Sequence, residues 1–139
     1  MAEPIHIFKK INASPERVYQ ALTRGEDLIH WYSAGGGWTT PYAESDPVPG
    51  GRLKVGFADP AGKNSFDFLA TYTRLEEPRS VEYLLDDQRR VTIEIRPTGE
   101  KSEVYWTFDE ESTHSREQQQ EGWQSMLDNL ARYLEEQMR

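Results

Sequence analysis

The C-terminal stretch Ser115–Arg139, SREQQQEGWQSMLDNLARYLEEQMR, decides how the rest of the chain is read. Its apolar residues Trp123, Met126, Leu127, Leu130 and Leu134 are spaced mainly by three and four, which lines one face of a helix. Tyr133 flanks that stripe, and Asp128, Arg132, Glu135 and Glu136 lie mostly opposite it. Asp128 with Arg132, and Arg132 with Glu136, stand at i,i+4, where a pair adds about 0.2–0.5 kcal/mol. Ser115 and Gln118 have the spacing of a capping box, and Glu117 falls in the first turn, where the helix dipole favours a carboxylate. A helix so long and one-sided needs a broad apolar surface to lie on. Gly122 breaks the pattern, because mid-helix glycine costs about 1 kcal/mol against alanine. The expectation is a strand or ring passing too close for a Cβ, or a gap that opens onto a cavity.

The segments just before this helix supply the surface. Leu53, Val55 and Phe57 alternate against Arg52 and Lys54, and Phe66, Phe68, Ala70 and Tyr72 against Asp67, Thr71 and Thr73. Val81 and Tyr83 continue the apolar face. Val91, Ile93 and Ile95 oppose Thr92, Glu94 and Arg96, and Val104, Trp106 and Phe108 oppose Glu103 and Tyr105. The clusters Asp46–Gly51, Asp59–Gly62, Glu76–Pro78, Asp86–Gln88 and Pro97–Gly99 separate these runs as turns. Period-2 strands between such turns predict an antiparallel meander with one buried face. Trp38–Glu44 reads as a weaker strand, held to an edge by Pro41. Asp109–His114 is a polar linker into the long helix.

At the other end, Pro4–Ile11 predicts a first strand with Ile5, Ile7 and Ile11 in phase. Lys9 shares that phase and Phe8 opposes it, which suggests a bulge or an edge position. Ser14-Pro15-Glu16 is a helix start: a capping hydroxyl, proline at the first helical position, then a carboxylate. Val18, Ala21 and Leu22 form the buried face of that helix, and Gly25 is expected to end it in a left-handed conformation. Glu26–Tyr32 fits a second short helix with Leu28 and Trp31 facing inward. Ser33-Ala34-Gly35-Gly36-Gly37-Trp38 follows as a mobile connection; it lacks both glycine-rich phosphate-binding patterns. The order is strand, two short helices, about six strands and a long helix, an α+β two-layer arrangement in one domain spanning residues 1–139.

Composition narrows the function. There is no cysteine, which removes disulfides, thiolate nucleophiles and thiolate metal sites. A net charge of −8 opposes nucleic acid and anionic membrane. No apolar run approaches the ~20 residues of a membrane span, and the N-terminus lacks a basic start followed by an apolar run, so the expected location is cytoplasmic. His6, His30 and His114 are scattered without ligand spacing, and no G-x-S-x-G occurs, so neither a metal nor a cofactor is expected. Glu82 and Glu94 fall on outward phases, away from any interior acid–base role.

The chain resembles the START-like (helix-grip) superfamily, in the branch of homologues of the activator of heat-shock protein 90 ATPase. The residues that carry the resemblance are Ile11-Asn12-Ala13-Ser14-Pro15-Glu16-Arg17-Val18-Tyr19-Gln20-Ala21-Leu22-Thr23, matching the branch's I-x-A-x-P-E-x-V-W-x-A-L-T opening. Leu28 with Trp31-Tyr32, Pro49-Gly50-Gly51-Arg52, Leu75-Glu76-Glu77-Pro78-Arg79, and Gly122-Trp123 with Leu127 and Leu130 follow in the branch's order. The resemblance implies a curved antiparallel sheet gripping the C-terminal helix, with an apolar cavity between them. Functions across the superfamily include lipid and hormone binding, polyketide cyclisation and regulation of a chaperone ATPase.

Trp38, Phe57, Phe66, Phe68, Tyr72, Tyr83, Trp106 and Trp123 converge on that interior if their phases hold. Met126 on the helix joins them, and Gln118, Gln119 and Tyr72 are candidate polar groups to orient a ligand. The expected function is non-catalytic binding of a small apolar or amphipathic molecule. The alternatives are a polyketide cyclase or aromatase, and a stress-related module with a chaperone as its protein partner.

Overall fold

The computed structural model describes residues 3–32 and 37–137. Strand β1 (Ile5–Ile11) leads to helices α1 (Pro15–Thr23) and α2 (Gly25–Trp31). Six strands follow: β2 (Ala43–Ser45), β3 (Arg52–Ala58), β4 (Ser65–Glu76), β5 (Ser80–Leu85), β6 (Arg90–Thr98) and β7 (Lys101–Phe108). Helix α3 (Arg116–Gln137) closes the chain. The strands form one antiparallel sheet in the order β1-β7-β6-β5-β4-β3-β2. It curves around α3, which is the α+β helix-grip arrangement.

Period-2 alternation sets the register. Ile5, Phe108, Val91, Tyr83 and Tyr72 form one row across five strands, and Ile7, Trp106, Ile93, Val81 and Leu75 the next. Apart from the partly buried Leu75, every member of these rows is buried, because each residue faces the concave side. Phe66 keeps the expected inward phase but not the burial expected with it. It pairs with Phe57 near the free end of β4 but is 55% exposed, since the sheet there runs beyond the cover of α3.

The long helix forms as its pattern predicts. Ser115 and Gln118 make the reciprocal capping box: the Gln118 amide donates to Ser115 Oγ at 3.1 Å, and the Ser115 amide to Gln118 Oε1 at 3.1 Å. Met126, Leu127, Leu130, Ala131 and Leu134 are buried. The two expected i,i+4 ion pairs give way to other partners, one across the fold and one within the helix. Asp128 binds Lys9 of β1 at 3.3 Å, and Arg132 donates to Asn129 Oδ1 at 3.2 Å. Gly122 also departs from expectation: an added Cβ would meet nothing within 4 Å, so no strand or ring crosses there.

Strand β1 is an edge strand, as expected, but carries no bulge: all seven residues pair in register with β7. Its Lys9 points in the inward phase because Asp128 waits at the edge. Its outward carbonyls are covered by α3, with Gln120 Nε2 donating to His6 O and Gln124 Nε2 to Phe8 O, both at 3.3 Å. On the outer face Phe8 packs on Tyr105 at 4.9 Å between ring centroids.

Helix α1 starts at Ser14, whose Oγ accepts from the Arg17 amide at 3.2 Å. Gly25 does not end it in a left-handed turn: the cap is Arg24 in extended geometry, and Gly25 opens α2 instead. Its glycine serves a close approach, since a Cβ there would lie 2.6 Å from the Ala43 carbonyl oxygen of β2. The expected strand Trp38–Glu44 shrinks to Ala43–Ser45 plus a single bridge from Thr39 to Ala58. The segment Ser33–Gly36, expected as a mobile connection, lies outside the described residues.

Candidate functional site

The aromatic residues singled out from the sequence come together in one ring network. Trp38 meets Phe66 at 5.8 Å, Phe66 stacks on Phe57 at 5.1 Å, and Phe57 meets Phe68 edge-on at 6.4 Å. Phe68 continues to Tyr83 at 6.2 Å and to Trp123 of α3 at 6.1 Å. Trp123 reaches Trp106 at 5.7 Å, and Tyr83 reaches Tyr72 at 6.1 Å. The phases of four strands and one helix, with the segment at Trp38, deliver these rings to one place, at separations where offset and edge-to-face pairs are favourable. The network is graded in burial. Phe57, Tyr72, Tyr83, Trp106 and Met126 are buried, Trp38, Phe68 and Trp123 are partly buried, and Phe66 is mostly exposed.

Three further rings belong to it. Tyr32 meets Phe68 at 5.4 Å and Phe57 at 5.9 Å, Trp31 meets Trp106 at 6.4 Å, and Phe108 lies 4.9 Å from Trp123. The adjacent pair Trp31-Tyr32 at the end of α2 was the available signal. Periodicity assigned Trp31 to a helix face but could not aim the last turn of α2 at β4.

The polar groups divide into spent and unspent. Gln119 is buried, but its side chain is committed to the segment before α3: it accepts from the Glu111 amide at 2.8 Å and donates to the carbonyls of Glu111 and His114 at 3.1 and 2.9 Å. Gln118 is committed to the cap. Tyr72 shares a 2.7 Å hydrogen bond with Ser45, and Trp31 Nε1 donates to Ala21 O at 3.0 Å. The hydroxyls of Tyr32 and Tyr83 meet at 3.2 Å inside the network, with Tyr32 held from behind by Thr40 Oγ1 donating to its carbonyl. Trp106 Nε1 is buried and has no hydrogen-bond partner among the described residues.

Burial pushes the Tyr32 and Tyr83 hydroxyls far above the ordinary phenol value, and Tyr72 up to about 12 against the opposing hydrogen bond of Ser45. All three are neutral hydroxyls at physiological pH. Beside the exposed end of the network, Phe66, Phe68, Leu69, Leu85 and Arg89 line a cleft of about 290 Å³. Its charges are internally matched: Asp86 with Arg52 at 2.9 Å, Asp87 with Arg89 at 2.8 Å, and Asp67 with Lys54 at 3.9 Å. Another cleft, about 400 Å³, lies on the outer face of β5 and β6 and is lined by Arg74, Glu82, Glu94 and Arg96 rather than by rings. Among the described residues no three His, Asp or Glu side chains gather as a metal site. No helix among them is long and apolar enough to cross a membrane.

The family model described as Activator of Hsp90 ATPase homolog 1-like protein matches residues 12–135. The chain belongs to that family. Among solved structures, it is 36% identical to the AHSA1-like protein from Aeromonas hydrophila, with a TM-score of 0.89 over 95% of this chain and 92% of that one. A protein from Cytophaga hutchinsonii is 30% identical, with a TM-score of 0.82 over 99% and 95%. The Aha1 dimer from Colwellia psychrerythraea, 20% identical, shares the fold at a TM-score of 0.76 over 96% of each chain. No curated protein matches the chain. In this family member the interior groups are buried rings, neutral tyrosine hydroxyls and an indole N–H without a partner among the described residues.

Proposed function

We propose that the chain, acting as one domain, binds a small apolar or amphipathic molecule against the ring network between α3 and the sheet. The observation that carries this reading is the continuity of the rings from solvent to core. Phe66, Trp38, Phe68 and Trp123 are open to different degrees, and they lead to a buried indole N–H without an acceptor among the described residues. Covering ~200 Å² of apolar surface would yield about 5 kcal/mol before association costs, enough for weak binding that shape or a polar anchor then tightens.

The cyclase alternative needs a group that exchanges a proton near neutral pH, and the interior titratable groups of the network are tyrosines whose hydroxyls burial pushes far above the ordinary phenol value. The chaperone-partner alternative needs a coherent surface patch. Of the exposed apolar side chains, Phe8 lies on β1, Ile29 on α2, Tyr42 before β2 and Phe66 on β4, and among the described residues no ring contact joins Phe8, Tyr42 and Phe66 to one another. Binding therefore leads. Titration with palmitate and with a planar flavonoid, followed by tryptophan emission and by Tm, tests it. At least one class should perturb emission and raise Tm, because a ligand of the folded state alone stabilises it. Phe66→Ser should weaken that binding while barely moving Tm, since the ring is more than half exposed. Neither probe changing emission or Tm would remove the proposal.

A further inference from the structure

We infer that the bound molecule is uncharged and directs a hydrogen-bond-accepting oxygen, such as a ketone, aldehyde or ester carbonyl, at buried donors of the ring network. This rests on the binding reading above and narrows it to a ligand class. The argument is a count of protons. Trp106 is 1% exposed, and its indole N–H has no partner among the described residues, whereas the indole of Trp31 is satisfied by Ala21 O. A buried donor without an acceptor is rare and costly, more so than a carbonyl or hydroxyl with an idle lone pair.

The tyrosine pair adds to the imbalance. Tyr32 and Tyr83 each carry one hydroxyl proton, and a single hydrogen bond joins them, so it consumes one proton and leaves the other without a partner among the described residues. Burial keeps both hydroxyls protonated, so neither becomes a phenolate that would accept. These donors surround the two partly exposed rings. Phe68 contacts both Tyr32 and Tyr83, and Trp123 contacts Trp106. A ligand lying on Phe68 and Trp123 is thus one ring away from the residues that carry the spare donors.

Charge selects within the acceptors. A carboxylate entering the network would lose its hydration, and none of the described network residues carries a counter-charge to offset that loss. Arg89, at the lip of the neighbouring cleft, is held by Asp87 at 2.8 Å, and Lys9, at the far edge, by Asp128 at 3.3 Å. An amine would bring further protons to a place already in excess of them. A neutral carbonyl fits both constraints.

Three matched probes test this: 2-acetylnaphthalene, 2-ethylnaphthalene and 2-naphthoate, titrated into the full chain at pH 7. Affinity is taken from calorimetry, and the four indole N–H signals are followed by ¹H–¹⁵N NMR, with Trp106→Phe assigning one of them. The ketone should bind about tenfold or more tighter than the hydrocarbon and the carboxylate, as a hydrogen bond to an otherwise unpaired buried donor implies. It should also move the Trp106 indole proton downfield. Trp106→Phe and Tyr83→Phe, each checked by its melting curve, should narrow that preference. Equal binding of ketone and hydrocarbon with the Trp106 signal unmoved overturns the inference and leaves the binding proposal standing. Preference for the carboxylate overturns it likewise. Failure of all three probes to bind, together with silence of palmitate and flavonoid, removes both.

Discussion

An added Cβ at Gly122 meets no atom within 4 Å, whereas at Gly25 it falls 2.6 Å from a backbone oxygen of Ala43. The two glycines therefore answer alanine in opposite ways. Gly122→Ala should stabilise by about 0.5–1 kcal/mol, because it gains helix propensity and meets no clash. Gly25→Ala should destabilise by about 1–3 kcal/mol, because backbone cannot yield as a side-chain tip does. Urea melts of the two variants decide it, and midpoints shifting the same way would refute the contrast. Asp27 is a third position where one side chain governs several contacts. It accepts from Arg17 at 2.8 and 3.1 Å and from the Tyr133 hydroxyl at 2.6 Å, tying α1, α2 and α3. Burial pushes its carboxyl up, but these bonds and the Arg17 charge outweigh that and hold it below the ordinary value. Its stabilisation is thus present above the unfolded carboxylate value of about 3.9 and is lost as pH falls through the lower folded value. Asp27→Asn should cost about 2–4 kcal/mol at pH 7. The gap to the parent protein should close under acid conditions; a gap independent of pH down to 3 would argue against an ionised Asp27.

At the level of elements, the pairing of α3 with β1 stands out. One polar stripe of the helix, Gln120, Gln124, Asp128 and Glu135, follows the free edge of β1. It bonds in turn His6 O, Phe8 O, the Lys9 ammonium and the Asn12 amide. An uncovered edge strand offers its backbone to other chains, and these side chains occupy those positions instead. Replacing Gln120 and Gln124 together by Ala should cost under about 1 kcal/mol, since water substitutes for exposed hydrogen bonds. The same variant should associate more with rising concentration, seen by light scattering. Scattering identical to the parent at every concentration would mean that the glutamines do not guard the edge.

For the whole molecule, three buried tyrosine hydroxyls make the core sensitive to alkali. The folded values of Tyr32, Tyr72 and Tyr83 lie above the unfolded value of about 10. Their contribution is accordingly complete below pH 10 and is lost as pH climbs beyond it, because the unfolded chain releases those protons first. Unfolding by alkali should coincide with the ionisation of these tyrosines, followed by phenolate absorbance and circular dichroism together. Replacing Tyr32 and Tyr83 jointly by Phe should flatten the pH dependence. Ionisation of every tyrosine near pH 10 with the native signal intact would contradict the burial argument.

Local chemistry determined much of this protein. The spacing of Leu127, Leu130 and Leu134, the alternation through Val91 to Ile95 and Val104 to Phe108, and the caps at Ser14 and Ser115 each follow from short-range geometry. They establish the strand–helix–helix–strands–helix order and the ring set facing the interior. What the sequence could not determine depends on residues far apart in the chain. Asp128 pairs with Lys9 rather than Arg132 because β1 lies beside α3, and Gly25 answers to Ala43 rather than to its own helix end. Phe66 keeps the inward phase yet stays in solvent, since phase fixes a direction while cover depends on where another element stops. The spare indole proton of Trp106 was equally invisible, because hydrogen-bond satisfaction is settled by which acceptors the completed fold brings within reach.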